Sequence, residues 1–196
     1  MCRQANYLLY VLLTAVISSL LLFSACTNDL KKIREISAKQ VNSPADTTRG
    51  VDMIFSDSAK VKARVISPLM LEYQLSKEIK QAYTKMPKGI RIIFFDTDKS
   101  EMGNIIADTA YYYPATKVFL LLKNVVVTSA KKDVFTSDEL KWDQITHKIT
   151  SSKPINVKMA NGNIVHGTSL ETNEKFDPYT IPNQTGIIYI DRKLGQ

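Results

Sequence analysis

The amino-acid sequence predicts an all-β domain behind a secretory address, and three observations carry that expectation. Apolar and polar residues alternate with a period of two from Val51 onward, turn-forming residues punctuate the alternation, and a long unbroken apolar run occurs at the amino terminus. Composition agrees, since 196 residues with 44% apolar side chains suffice for a real core. The 26 Lys and Arg against 19 Asp and Glu give a formal charge of +7, which tilts the surface towards anionic partners without making a basic tail. Cys2 and Cys26 are the only cysteines and both precede the domain, which excludes a disulfide framework and a Cys-based zinc cage. Two histidines, His147 and His166, leave His-dependent catalysis thinly supplied.

The first element is the address. Arg3 precedes an apolar run over residues 7–25 that closes with Leu22-Phe23-Ser24-Ala25-Cys26, the order of a secretory signal. Its small-small-Cys ending resembles the lipobox of bacterial lipoproteins, which implies acylation of the Cys26 thiol and cleavage just before it. Residues 1–25 are then a signal peptide, although Phe23 stands where that pattern usually has Leu. A run of this length also just spans the ~30 Å of bilayer hydrocarbon, so an uncleaved amino-terminal helix is the other reading. Either way the domain lies outside the cytoplasm and against a membrane. Residues 26–50 read as the lipidated Cys and a polar tether, with Asn42, Ser43, Pro44, Asp46, Thr47 and Thr48 gathered before Gly50. Within it, residues 31–36 form either a solvated stretch or a short helix on the membrane surface.

The folded domain is expected over residues 51–196. Strands are read at Val61-Lys62-Ala63-Arg64-Val65, at Gly89-Ile90-Arg91-Ile92-Ile93-Phe94 and at Ile155-Asn156-Val157-Lys158-Met159. Turns fall at Ser67-Pro68, Asp96-Thr97-Asp98-Lys99-Ser100, Tyr113-Pro114, Ala130-Lys131-Lys132-Asp133, Ser152-Lys153-Pro154 and Asn161-Gly162-Asn163. Residues 69–86 fit either a helix with an untidy stripe or a strand with a long connection.

A shift of 30 places superposes the chain on itself: Ala110 falls on Leu140, Tyr112 on Trp142, Phe119 on Ile149, Val125 on Ile155, Val127 on Val157 and Phe135 on Val165. A second shift carries Ala107 through Ser137 to Gly167, and Ala110 through Leu140 to Leu170. Each unit then supplies two strands and two turns stacked on the next. An upstream copy fits near Ala63 if extra residues enter before Ala107. The small position and the apolar one after it are three apart, an odd step that flips the face of a strand, so a corner or bulge is expected there. An ordinary meander would show similar turn spacing.

Large apolar residues are abundant on the expected dry side. The candidate interior comprises Val61, Ala63, Val65, Ile90, Ile92 and Phe94, followed by Ala110, Tyr112, Phe119, Val125, Val127 and Phe135. Leu140, Trp142, Ile149, Ile155 and Val157 complete it. These side chains either fill a core or line an apolar trough, and the membrane address and open sheet edges make the trough worth considering. Motifs of chemistry are weak. Asp96 and Asp98 open like a calcium loop, but Glu101 stands where Gly is needed and Ala107 where Glu is needed, so a hairpin turn is expected and no metal or other cofactor is. Neither a nucleophile elbow nor a glycine-rich phosphate loop occurs. His166 and Ser169 are near neighbours, but His166 occupies a repeat position shared with Ile106 and Thr136. The cations lack interleaved aromatic residues, so no nucleic-acid partner is expected.

In order, the chain presents an anchor, a polar tether, Gly50-Val51-Asp52-Met53-Ile54-Phe55-Ser56-Asp57-Ser58-Ala59, Pro87-Lys88-Gly89-Ile90-Arg91-Ile92-Ile93-Phe94-Phe95-Asp96 and Ile106-Ala107-Asp108-Thr109-Ala110-Tyr111-Tyr112. Asn124-Val125-Val126-Val127, Phe135-Thr136-Ser137-Asp138-Glu139-Leu140-Lys141-Trp142-Asp143 and Gly167-Thr168-Ser169-Leu170-Glu171 follow. This succession resembles the LptC family of lipopolysaccharide export, especially its lipoprotein form in Bacteroidetes-type bacteria. The resemblance implies a twisted β-jellyroll of the OstA/LptA-like kind, non-enzymatic and periplasmic, held at the inner membrane by its amino terminus. It further implies an apolar groove for the acyl chains of lipopolysaccharide, received from an ATP-driven transporter with LptF/LptG jellyrolls and passed to an LptA-like bridge protein. Rolls of this kind join edge to edge. Gly50, Val51, Met53 and Phe55 are the candidate transporter-side edge, and Gly186, Ile187, Ile188, Tyr189 and Ile190 the candidate edge for the next roll. A structural envelope lipoprotein with a filled core and a lipoprotein hydrolase are the competing readings.

Overall fold

Alternation becomes one antiparallel sheet coiled on itself. The computed structural model describes Pro44 and residues 46–187, within the compact unit Ser43–Gln196. Cys26, most of the tether, Ile188, Tyr189 and Ile190 lie outside the described residues. In chain order the strands are β1 (Asp46–Asp57), β2 (Lys60–Tyr73), β3 (Tyr83–Met86), β4 (Ile90–Phe95), β5 (Glu101–Ala107), β6 (Thr109–Tyr113) and β7 (Val118–Ser129). They continue as β8 (Val134–Asp143), β9 (Lys148–Ser151), β10 (Ile155–Lys158), β11 (Ile164–Gly167), β12 (Leu170–Asn173), β13 (Tyr179–Thr180) and β14 (Thr185–Ile187).

Pairing divides the sheet into two walls. The first runs β1-β2-β4-β5-β7-β8-β10-β11-β14. The second runs β1-β2-β3-β6-β7-β8-β9-β12-β13, using the other halves of β1, β2, β7 and β8. The chain goes out and back on one wall, turns a corner, and goes out and back on the other. Phe94 of the first wall meets Trp142 of the second with ring centroids 4.8 Å apart, so the walls face each other across one core.

The corners explain the odd three-residue step. Ala107 ends β5 and Ala110 lies in β6, with Asp108 between the two walls; Gly167 ends β11 and Leu170 opens β12. Repeat-equivalent segments lie two strands apart on the same wall, as β6, β8 and β12 do, so the repeat is the pitch of the coil. Successive corners bond to one another. The Ser67 hydroxyl donates to the Gly89 carbonyl (2.8 Å), the Gly89 amide to the Asp108 carbonyl (2.8 Å), and the Asp108 amide to the Lys123 carbonyl (3.1 Å). Gly89 takes this turn at φ 92°, in the left-handed region where a side chain would be strained.

Two expectations change and one alternative is decided. Residues 46–49, read as tether, belong to β1: they are exposed, but they pair with residues 69–72 of β2, so the ladder holds them where burial does not. Of the two readings of residues 69–86, the structure shows the strand with a long connection, which ends in a second short strand. The upstream copy turns its corner at Ser67, because β2 still pairs with β4 through Ala63 and leaves it for β3 only beyond Ile66.

Candidate functional site

The strands deliver nearly all the candidate interior residues to one place. Ala63, Val65, Ile90, Ile92, Phe94, Ala110, Phe119, Val125 and Val127 are buried in a single cluster with Phe135, Leu140, Trp142, Ile149, Ile155 and Val157. Tyr112 is partly buried against it. Val61 is elsewhere. A register shift between Phe55 and Ser56 breaks the β1–β2 ladder just before the pair Val61 and Ser56, and Val61 lines an outer cleft with Ile54, Arg64 and Phe95. Alternation alone put it inside; the bulge put it out.

Of the two arrangements open to these residues, a filled core or an apolar trough, the structure shows them packed on one another: Phe94, Phe119 and Ile149 are fully buried. Its centre is an aromatic stack. Tyr112 lies on Phe119 (4.4 Å, 25°), Phe119 lies on Trp142 (5.3 Å, 16°), and Phe55 meets all three edge-on at 5.7–6.4 Å. Phe55, assigned by sequence to an edge, therefore serves the interior as well. Sequence reading passed over Met86, Ile105, Leu121 and Phe176. The first three sit at alternating strand positions that periodicity could have found, whereas Phe176 lies in a connection and has no periodic signal.

Two clefts that reach the aromatic stack or its neighbours open on the side away from the corners. A cleft of about 390 Å³ has Phe55, Tyr112 and Trp142 at its base and Lys62, Lys117, His147 and Glu174 among its other lining residues. A neighbouring cleft of about 280 Å³ includes Met53, Met70, Tyr83, Met86 and the same Tyr112. Burial pushes the Tyr112 phenol up, so it stays neutral between the two. The Trp142 indole donates to Glu174 Oε1 (2.9 Å), and both Glu174 oxygens lie 3.2 Å from His147 Nδ1. The mouth thus grades from apolar floor to charged rim.

The sheet also has edges. Among the described residues β1 pairs only with β2, β13 only with β12 and β14 only with β11. On β1, Val51, Met53 and Phe55 point into the core, while Asp52 and Ile54 face outward, Asp52 accepting two bonds from Arg64. Gly186 and Ile187 lie in β14. Asp96 and Asp98 serve their hairpin, accepting from the Thr97 and Ser100 amides. Among the described residues no three His, Cys, Asp or Glu side chains gather as a metal would need, and no helix is long and apolar enough to cross a membrane.

These features define a class of protein by architecture: a coiled antiparallel β-roll with an aromatic interior, clefts at its mouth and strand edges unpaired among the described residues. The family model described as "Lipopolysaccharide-assembly, LptC-related" matches residues 9–189, and the chain belongs to the LptC family. It is a periplasmic participant in lipopolysaccharide export and not an enzyme. No curated protein matches it.

Proposed function

We propose that this chain accepts lipopolysaccharide from the inner-membrane ABC transporter and passes it to an LptA-like periplasmic bridge protein, while an acylated Cys26 holds it at the membrane. The observation that carries this reading is the aromatic stack running from the buried Trp142 through Phe119 to Tyr112 at the base of an open cleft. Each methylene moved from water onto such a surface gains about 0.8 kcal/mol, while lipid phosphates remain near Lys62 and Lys117. Because the acceptor must later release its cargo, directionality comes from ATP hydrolysed in the transporter. Edge joining is strand addition, in which free backbone groups supply affinity and side chains set register. Residues 50–55 of β1 are assigned to the LptF/LptG jellyroll and residues 186–190 to the bridge protein.

A photoreactive residue at Phe119 or Trp142 tests this in membranes supplied with ATP. Lipopolysaccharide adducts that require ATP are expected; no adduct at either position would refute the reading. The second reading is a structural envelope lipoprotein, favoured by the filled core, and it predicts normal export after both edges are blocked by proline substitutions.

A further inference from the structure

The interior is closed, so lipid can enter only where a side chain leaves. Most core aromatics are fixed by a strand ladder: Phe94 in β4, Phe119 in β7, and Phe135 and Trp142 in β8. Phe176 differs. It sits in the connection between β12 and β13, at φ 58°, yet it is only 2% exposed. Its ring meets Phe94 edge-on at 5.6 Å. It also lies against the backbone of Gly103, where an added Cβ would come within 2.7 Å of the Phe176 ring and 2.6 Å of the Thr128 carbonyl oxygen.

The same connection straps the two walls together at the mouth. It starts from the second wall, and its Lys175 ammonium donates to Asp96 (3.3 Å) while Asp177 accepts from Lys131 (2.6 Å). Asp96 and Lys131 stand on turns of the first wall. Both pairs are exposed, hence weak and screened by salt. A cleft of about 250 Å³ lined by Met102, Ala130, Lys131, Lys175 and Phe176 lies beside the strap.

We infer that Phe176 is a removable wedge in the lipid-receiving interior, held in place by the Lys175–Asp96 and Lys131–Asp177 pairs and withdrawn when an acyl chain enters. This rests on the proposed reception of lipid. Withdrawal joins the cleft to the core beside Phe94. It also frees Lys131 and Lys175 from their carboxylates, and a lipid phosphate replaces those partners. The entering molecule therefore matches what it displaces, an apolar chain for a ring and a phosphate for two carboxylates.

The test uses the full-length lipoprotein in detergent with purified lipopolysaccharide as the probe. A K131C/D177C variant is joined across the mouth by a short bis-maleimide, and the unjoined variant is the control. A photoreactive residue at Phe119, which is fully buried, reports lipid entry into the interior, and amide exchange over residues 174–178 reports the strap. Joining is expected to cut the adduct about tenfold by removing the competent state, and lipid is expected to speed exchange in the unjoined protein. Equal adduct formation with and without the bridge, with unchanged exchange, overturns the wedge and leaves lipid reception standing. Absence of any adduct in the unbridged protein overturns lipid reception and the wedge with it.

Discussion

Replacing Phe119 by Ala removes the middle ring of the stack. Phe119 is fully buried and touches the rings of Tyr112, Trp142 and Phe55 at 4.4, 5.3 and 5.7 Å. Phe→Ala in a close-packed core costs about 3–5 kcal/mol, the lost transfer energy plus that of the cavity left behind. Ring pairs contribute about 0.5–1.5 kcal/mol each beyond area, which places this site towards the upper part of that range. With a urea dependence of about 2 kcal/mol per molar, a loss of about 4 kcal/mol moves the unfolding midpoint down by about 2 M. Trp142 is the single tryptophan of the chain and packs on Phe119, so its fluorescence reports the transition without a label. The cavity would be lined by aromatic rings and dry, so a small apolar molecule such as benzene should restore part of the stability. A midpoint shift below about 0.5 M would refute the close-packed stack, since that is about 1 kcal/mol. Failure of benzene to stabilise the variant would show that the space collapses and is not a receptive apolar site.

Two further outcomes are expected. Gly167→Ala places a methyl against the Ile181 side chain and 3.0 Å from the Pro182 carbonyl oxygen, so it should cost about 1–3 kcal/mol in thermal unfolding, and an unchanged melting temperature would show that this corner yields. The Thr146 amide, with that of Ile145, holds the Asp143 carboxyl below the usual carboxylate range. A depressed folded-state pKa means that its contribution is present above the unfolded pKa and lost as pH falls through the folded one. Titration of the Asp143 carboxyl carbon by NMR should therefore show a midpoint below that of an ordinary aspartate, and a normal midpoint contradicts the β8–β9 turn geometry.

How much was legible depends on the range of the interaction that decides each feature. Period-two alternation fixed β4 and β10 and placed Ile90, Ile92, Phe94, Ile155 and Val157 inside, because the alternation of strand side chains is local. The three-residue step between Ala107 and Ala110 announced a corner for the same reason, and the shift of 30 announced a coil whose turns stack. The ordered succession of these segments also carried the family. Other features belong to contacts between distant parts of the chain. Residues 46–49 become strand only because β2 offers them a partner, and Val61 leaves the interior through a bulge that depends on pairing. Phe176 has no periodicity to betray it; its place follows from Gly103 and Phe94, more than seventy residues away in sequence, meeting it at the mouth. The sequence by itself determined that strands with one apolar face would recur and that a corner or bulge would fall at the three-residue step, since both follow from neighbours along the chain. Only the tertiary structure decided that the apolar faces of two walls close on each other and fill the interior, because the fit of side chains across a core is set by which walls meet and how far apart.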